Sequence, residues 1–518
     1  MINSVGRDIP EELLQNGKDV YRGNNFRNGK YYVKASPRVE IHCTNEESKV
    51  VDSIRQAILK CKMKDGMTVS FHHHFRDGDY IVNMVMAEIV ALGLKDITIA
   101  ASSLGSAHDM IAEYIEQGIV TGLQTSGIRG RIGEAVSKGK LKTPVILRSH
   151  GGRVRAIEEG DLHIDVAFIG APSSDVYGNA RGKGGKSNCG VLSYSVADSK
   201  YADKVVVITD TLVSFPNFPP SIQSVDVDYV VLVNEIGNPK KIASKAARMS
   251  NDPRDLLMAE NCAKVMAATE YFKDGFSFQT GAGGPSLAVN RFLEPLMRER
   301  KIKMGWAIGG ITAPMVDLLN KGLVEMIVDT QDFDIGGVES VNTNPKHYEI
   351  SASQYANPAN KGAFVNKLDF VVLAALEVDI DFNVNVTTGS DGILIGAPGG
   401  HPDTAAGSKC CIIVTPLIRG RMATICEKVV TVATPGECVD VVVTDYGISV
   451  NPLRQDIINR LNEAEIPHVP IKELMEKAYS ITGRPQELDR GDKIVAVMEA
   501  RDGTILDVVR QIKTYSFE

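Results

Sequence analysis

The constraint that most narrows what this chain can fold into is that it is written twice. A helix-like run ends in Lys64-Asp65-Gly66, then come the strand-like "MTVSF" and the polar "HHHFRDGD". In the second half a helix-like run ends in Lys273-Asp274-Gly275, then come "FSFQ" and the glycine-rich "TGAGGP". "IEQGIVTGLQTSGIRGRIG" from Ile115 keeps step with "LNKGLVEMIVDTQDFDIGG" from Leu319. So do "HIDVAFIG" with "KLDFVVLA", "DKVVVIT" with "EKVVTVA", and "VDYVVLV" with "VDVVVTD". Two copies of one α/β unit normally face each other and hold a ligand between similar but differently decorated walls. The positions where the copies differ are where chemistry is expected.

The unit reads as α/β. Valine- and isoleucine-rich runs at 205–209, 228–233, 429–434 and 440–444 are apolar on both faces rather than alternating. That pattern predicts central strands of mostly parallel sheets covered on both sides. At 518 residues the chain exceeds one core. We divide it into an N-terminal arm (1–40), a first domain (41–245) and a second domain (250–518), with a linker within 238–253. Thr44 and Glu47 suit a capping box, and Val50, Ile54, Ala57, Ile58 and Cys61 follow at helical spacing. Asp252 and Pro253 suit a helix start, with Met258, Cys262, Val265 and Met266 as its apolar stripe. Two helices are predicted after Val450, then a hairpin turning at Asp502-Gly503.

The charge is mildly acidic, with 57 basic and 64 acidic residues and a net charge of −7. This gives no electrostatic case for nucleic acid or an anionic membrane. The eight cysteines are scattered without a CxxC pair, as expected of buried free thiols in a reducing compartment. With no apolar leader and no run long enough to span a bilayer, the expected location is the cytoplasm.

Candidate chemistry collects at predicted strand ends, where open α/β sheets bind ligands. Gly281-Ala282-Gly283-Gly284-Pro285 follows a strand and precedes a helix, so its free amides can bind an oxyanion or phosphate. It is neither a P-loop nor a GxGxxG turn. The matching turn of the first copy carries His72, His73, His74 and Arg76. Three consecutive histidines on an extended segment cannot all face one metal, and no partner set is evident, so no metal is expected. One or two of these histidines, with Arg76, would instead bind carboxylates. Ser102-Ser103, "RSHGGR" (with His150 and Arg153) and "APSSDVYGNARGKGG" (with Asn179) are further polar clusters suited to a small polyanion. In the second copy, "VDTQDFDIGGV" ends a strand, and "TTGSDGILIGAPGGHPDTAAGSK" is long enough to be functional.

Together these segments resemble the coenzyme A transferase superfamily, whose members have two tandem Rossmann-like domains with the active site between them. "FQTGAGGPSLAV" resembles the turn that donates amides to the thioester oxygen. "KLDFVVLAALEVDIDFNVNV" and the later Gly399-Gly400-His401 loop resemble the strand and pocket that hold the acyl carrier. "VGRDIPEELLQNGKDVYRGNNF", "SHGGRVRAIEEGDLHIDVAFIGAPSSDVYGNARG" and "VDVVVTDYGISVNP" narrow the resemblance to the citrate lyase alpha-subunit family, almost end to end.

The resemblance implies an activity, a cofactor, partners and a set of site residues. The activity would be transfer of an acyl-carrier thiol from an acetyl thioester to citrate, releasing acetate. The cofactor would be the CoA-type phosphopantetheine arm of an acyl carrier subunit, with free CoA as an analogue. The partners would be the beta (lyase) and gamma (acyl carrier) subunits in an oligomer. Gly283, Gly284 and Gln331 would be catalytic. His74, Arg76, Ser102, His150, Arg153 and Asn179 would bind substrate. Gly281, Ala282, Gly399, Gly400 and His401 would hold the cofactor arm. Wider superfamily members attack the thioester with a glutamate a few residues before a glycine. Anchored on Gly336-Gly337, this chain has Gln331 there, with Asp329, Asp332 and Asp334 close by if the register shifts. An amide is not a carboxylate nucleophile, so the acid substrate itself would attack. Other carboxylate CoA-transferases, an acyl-CoA hydrolase, a scaffold subunit and a sugar-phosphate sensor are the competing readings.

Overall fold

The computed structural model describes residues 1–26, 33–39, 48–243, 249–281 and 283–513. Two large sheets carry it. The first runs in the order Val50–Val51, Tyr229–Leu232, Lys204–Thr209, Val166–Ala171, Thr68–Phe71, Ile97–Ala101, Val120–Thr125, Val145–Leu147, Arg490–Glu499, Ile505–Ile512. The second runs His347–Glu349, Ile327–Asp332, Met304–Ile311, Phe276–Thr280, Phe370–Ala374, Cys410–Val414, Val441–Thr444, Gly447–Val450. In each sheet only the final pair is antiparallel. The chain is therefore α/β, with two mostly parallel sheets.

The duplication is visible strand by strand. Thr68–Phe71 and Phe276–Thr280 are central in their sheets, flanked by Ile97–Ala101 and Met304–Ile311 on one side, and by Val166–Ala171 and Phe370–Ala374 on the other. Continuous apolar runs arise because both faces are covered. In the second sheet Phe370 and Val372 enter one core, with Phe278 and Ile412, while Val371 and Leu373 enter another, with Cys411 and Ile413.

Three details depart from the sequence reading. Val50 belongs to an edge strand paired with Val230, and the helix begins at Ile54 with Ser53 as its cap; the Thr44–Glu47 box lies outside the described residues. "EKVVTVA" is not the counterpart of "DKVVVIT"; Cys410–Val414 is. Residues 429–434 form no strand of either large sheet: carboxylates take the amides of Val430 and Val432, and Ala433 and Thr434 donate to Val384 O. Glu377 accepts from Val430 N (3.1 Å) and Asp507 from Val432 N (2.8 Å). Finally, the hairpin turning at Gly503 leaves the second unit. Ala496–Met498 pairs in parallel with Val145–Leu147, adding two strands to the first sheet.

The N-terminal arm packs on this hairpin. Ile9, Val20, Val497 and Ile505 form a small core, and Asn3 Nδ2 donates to Leu506 O at 2.7 Å. No helix among the described residues is long and apolar enough to cross a membrane.

Candidate active site between the two sheets

A cleft of about 470 Å³ opens where the carboxyl ends of the two sheets meet. The first unit contributes His73, Arg76, Ser103, Arg129, His150 and Tyr194; the second contributes Gln279, Gly281, Gly283, Gln331, Tyr355 and the segment Ala397–His401.

The glycine turn forms one wall. Strand Phe276–Thr280 delivers it, and Gly281 N donates to Val372 O at 2.8 Å. Helix Gly284–Arg300 then starts, with Pro285 in its first turn. The amides of such a first turn have no intrahelical acceptor and favour negative charge. Ser286 Oγ lies buried under the turn without a hydrogen-bond partner among the described residues. Ala282 lies outside the described residues. On the same side of the cleft, Gly399 is left-handed (φ 52°), its carbonyl accepts from His150 N at 2.8 Å, and His401 Nδ1 lies 2.7 Å from Thr434 Oγ1.

The opposite wall carries the positive charge. Arg76 and Arg129 both face the cleft. Arg76 lies over the Phe333 ring at 4.6 Å, and its Nη1 is buried without a hydrogen-bond partner among the described residues. Burial lowers its pKa, against the pull of Asp77, and Arg129 adds to the lowering. Neither guanidinium makes an ion pair among the described residues, and Asp77 also lines the cleft, so the two arginines leave this wall with an excess of positive charge. The sequence reading passed over Arg129. It stands four residues past Thr125, the end of its strand, just before helix Gly130–Ser137, a position that could have signalled it.

Burial disfavours the cationic form of His73, His74, His150 and His401. His73 lines the cleft and His74 turns away, its Nε2 2.9 Å from Gly170 O. Burial and His72 lower His74 to about 4, and burial and Arg153 lower His150 to about 3. Burial lowers His401 to about 4. The rings of His73, His150 and Tyr194 instead cluster at 4.7–5.4 Å as a neutral aromatic floor.

Two further expected substrate ligands are structural. Arg153 makes a buried bidentate pair with Asp198 (2.7 and 2.9 Å). Burial would raise Asp198, but Arg153 and His72 hold it well below the usual carboxylate range. Asn179 is enclosed in a turn, donating to Asp175 at 2.8 Å and accepting from Ser224 N at 3.0 Å. Neither lines the cleft. Ser102 stands behind His73, bonded to its ring and its amide.

Of the residues competing for the nucleophile position, Gln331 alone lines the cleft. Asp329 accepts from Gln331 N at 2.7 Å and lies 3.2 Å from His347. Asp334 caps the next helix through Gly337 N. Asp332 is buried against Gly190, where burial and Asp329 push its pKa well up. Asp329, Asp332 and His347 have ligand atoms close enough to share a metal, as do the more exposed His163, Asp165 and Asp203. His347 is already bonded to Ser340 and Asp329, and His163 to Asp203.

A family profile described as "Citrate lyase, alpha subunit (CitF)" matches residues 47–512. The citrate lyase alpha chain of Haemophilus influenzae is 51% identical over 93% of this chain and 96% of its own length. That of Klebsiella pneumoniae is 50% identical over 97% of each. A crystal structure from Streptococcus mutans, described as citrate lyase alpha subunit in complex with citrate, superposes with a TM-score of 0.96 at 51% identity, covering 99% of this chain and 100% of that one. The alpha subunit of a malonate decarboxylase from Acinetobacter baumannii shares the fold, with a TM-score of 0.61 at 14% identity over 85% of this chain and 95% of that one.

Proposed function

The chain belongs to the citrate lyase alpha-subunit family, and we propose that it is the citrate CoA-transferase of that enzyme, moving an acyl-carrier thiol from acetate to citrate. The observation that carries this reading is the pairing of two walls across one cleft. The helix start at Gly283 and Gly284 offers amide donors to a thioester oxygen, and Arg76 and Arg129, in no ion pair among the described residues, offer positive charge to a polycarboxylate.

A citrate carboxylate attacks the acetyl thioester carbonyl, the C–S bond breaks, and a thiolate leaves. The product is a mixed acetyl–citryl anhydride. The thiolate then attacks the citryl carbonyl, the anhydride C–O bond breaks, and acetate leaves. No net proton is required. The protein's work is to bring two anions together, supply preorganised donors and exclude water from the anhydride. One oxyanion donor is worth about 3 kcal/mol of barrier. Gln331 has no carboxylate to form an enzyme-bound thioester, so the two acids react in one ternary complex. The thioester arm, carried by the gamma subunit, enters beside Gly399–His401, and the product passes to the beta subunit in a cytoplasmic oligomer.

The test is to incubate the chain with acetyl-CoA and citrate and follow citryl-CoA and acetate. Citryl-CoA formed without any adduct trapped by hydroxylamine or borohydride on Gln331, Asp329 or Asp332 is the expected result. Transfer to other acids in preference to citrate would move the chain to another CoA-transferase, and a trapped carboxyl adduct would replace the ternary-complex route.

A further inference from the structure

Ser102, His73 and Gln331 form a hydrogen-bond chain that crosses from the first unit to the second. Ser102 Oγ accepts from His73 N at 2.9 Å and lies 2.6 Å from His73 Nδ1. His73 Nε2 lies 3.1 Å from Gln331 Oε1, and Gln331 Nε2 donates to His73 O at 3.3 Å. We propose that His73 is a positioning residue: with Ser102 behind it, it pins the Gln331 amide so that Gln331 presents an N–H, not an oxygen, to the reacting carbonyl.

The directions follow from proton counting. Ser102 is fully buried, so its single hydroxyl proton needs an acceptor inside the protein. Its Oγ already accepts from His73 N, and the His73 ring nitrogen is its acceptor. Nδ1 is therefore unprotonated, and the proton of the neutral ring sits on Nε2. That proton is donated to Gln331, which fixes the oxygen end of the amide. The nitrogen end gives one proton to His73 O and keeps the second for the cleft that Gln331 lines.

Both His73 nitrogens are engaged, so the ring has no free lone pair to act as general base. Burial, with His150 and His74 beside it, keeps the ring neutral by holding its pKa well below the ordinary value. The chain also explains an amide at this position. A carboxylate at 331 would stand beside Asp329 and Asp332 and would draw a proton onto His73, reversing the donor pattern.

The proposal rests on the transferase reading only for the identity of the oxygen that accepts the free N–H. It can be tested with and without turnover. In the acetyl-CoA and citrate assay, His73→Leu is expected to lower kcat by at least about tenfold, the scale of one lost hydrogen bond to a charged acceptor, while both KM values stay within about twofold. His73→Gln, whose amide nitrogen can donate where Nε2 does, should restore most of kcat. In a double-mutant cycle, adding His73→Leu to Gln331→Leu should cost nothing further. Additive losses, or no rescue by Gln, would overturn the positioning role.

Independently of activity, ring-¹⁵N NMR of the full chain should show His73 as the neutral Nε2–H tautomer at pH 7, assigned by its loss in His73→Gln. Ser102→Ala should convert it to a mixture. An Nδ1–H or cationic ring would refute the chain. A wild-type protein inert in the assay would refute the transferase reading and leave the NMR result to decide this one.

Discussion

Arg76 adopts a left-handed backbone, φ 51°, which costs a non-glycine residue of order 1 kcal/mol or more. Its side chain is held over Phe333 with Nη1 unpartnered, so the strain accompanies a charge aimed at a ligand. Arg76→Gly should therefore be more stable than Arg76→Ala in chemical denaturation. Both should raise the citrate KM roughly 10- to 100-fold, the scale of one charge-assisted hydrogen bond, with the acetyl-CoA KM nearly unchanged. Gly283 has φ −75°, open to any residue, and a Cβ there would lie 3.4 Å from the Ala374 Cβ. Crowding and not strain is at issue: Gly283→Ala should retain most turnover, while Gly283→Val should lose about 100-fold in kcat, the size of one oxyanion donor, with unchanged circular dichroism. His74, His150 and His401 are held neutral at about 4, 3 and 4. A histidine whose folded pKa is lowered binds fewer protons folded than unfolded, so stability rises with pH across this window. Stability should be full above about pH 7 and fall progressively below about pH 6.5, the unfolded histidine value. Urea midpoints that stay flat from pH 7 to 5 would contradict the neutral floor.

The element whose placement matters most is the terminal hairpin. Arg490–Glu499 and Ile505–Ile512 are far in sequence from the sheet they complete, yet Glu499 is fastened there. It accepts from Arg148 Nε and lies 3.1 Å from Lys18 and 3.6 Å from Arg155. Burial alone would raise its pKa, but Arg148, Lys18 and Arg155 together hold it below the ordinary value. Glu499→Ala leaves the buried Arg148 guanidinium without its carboxylate, while Arg155 keeps Glu159 and Asp161; it should cost about 3–5 kcal/mol, read as a lowered midpoint of thermal unfolding. A group with a depressed folded pKa stabilises above its unfolded value and loses that contribution as pH falls through the folded one. The gap between Glu499→Ala and wild type should therefore close below about pH 4.

At the scale of the whole molecule, glycines let the two units touch. A Cβ on Gly127 would lie 2.1 Å from the Ala397 Cβ, and one on Gly133 would lie 2.1 Å from Leu394 O. Asp403 joins the units by accepting from Ser149 Oγ and Gly151 N, both at 2.8 Å, and by pairing with Arg501 of the hairpin. Gly127→Val should push the 394–400 segment off the first unit and open the cleft. Faster hydrogen exchange of those amides and lower transfer, with the sheets intact, would be the signature. The duplication, the α/β class, the parallel sheets and the glycine turn were legible in the chain because periodicity, turn residues and spacing are local. Gln331 was legible too, since its offset from Gly336-Gly337 is a count along the chain. Which of three adjacent histidines faces the cleft, that Arg153 spends its charge on Asp198, that Val430 and Val432 give their amides to carboxylates, and that the last two strands belong to the first sheet were not. Those outcomes depend on partners tens to hundreds of residues away, whose distance and burial exist only once both sheets have packed. The sequence by itself determined two copies of one unit and an amide, Gln331, at the strand end ahead of Gly336-Gly337. Tertiary structure decided which polar side chains are satisfied inside the protein and which remain free to meet a ligand, because satisfaction of a buried charge is a property of neighbours in space.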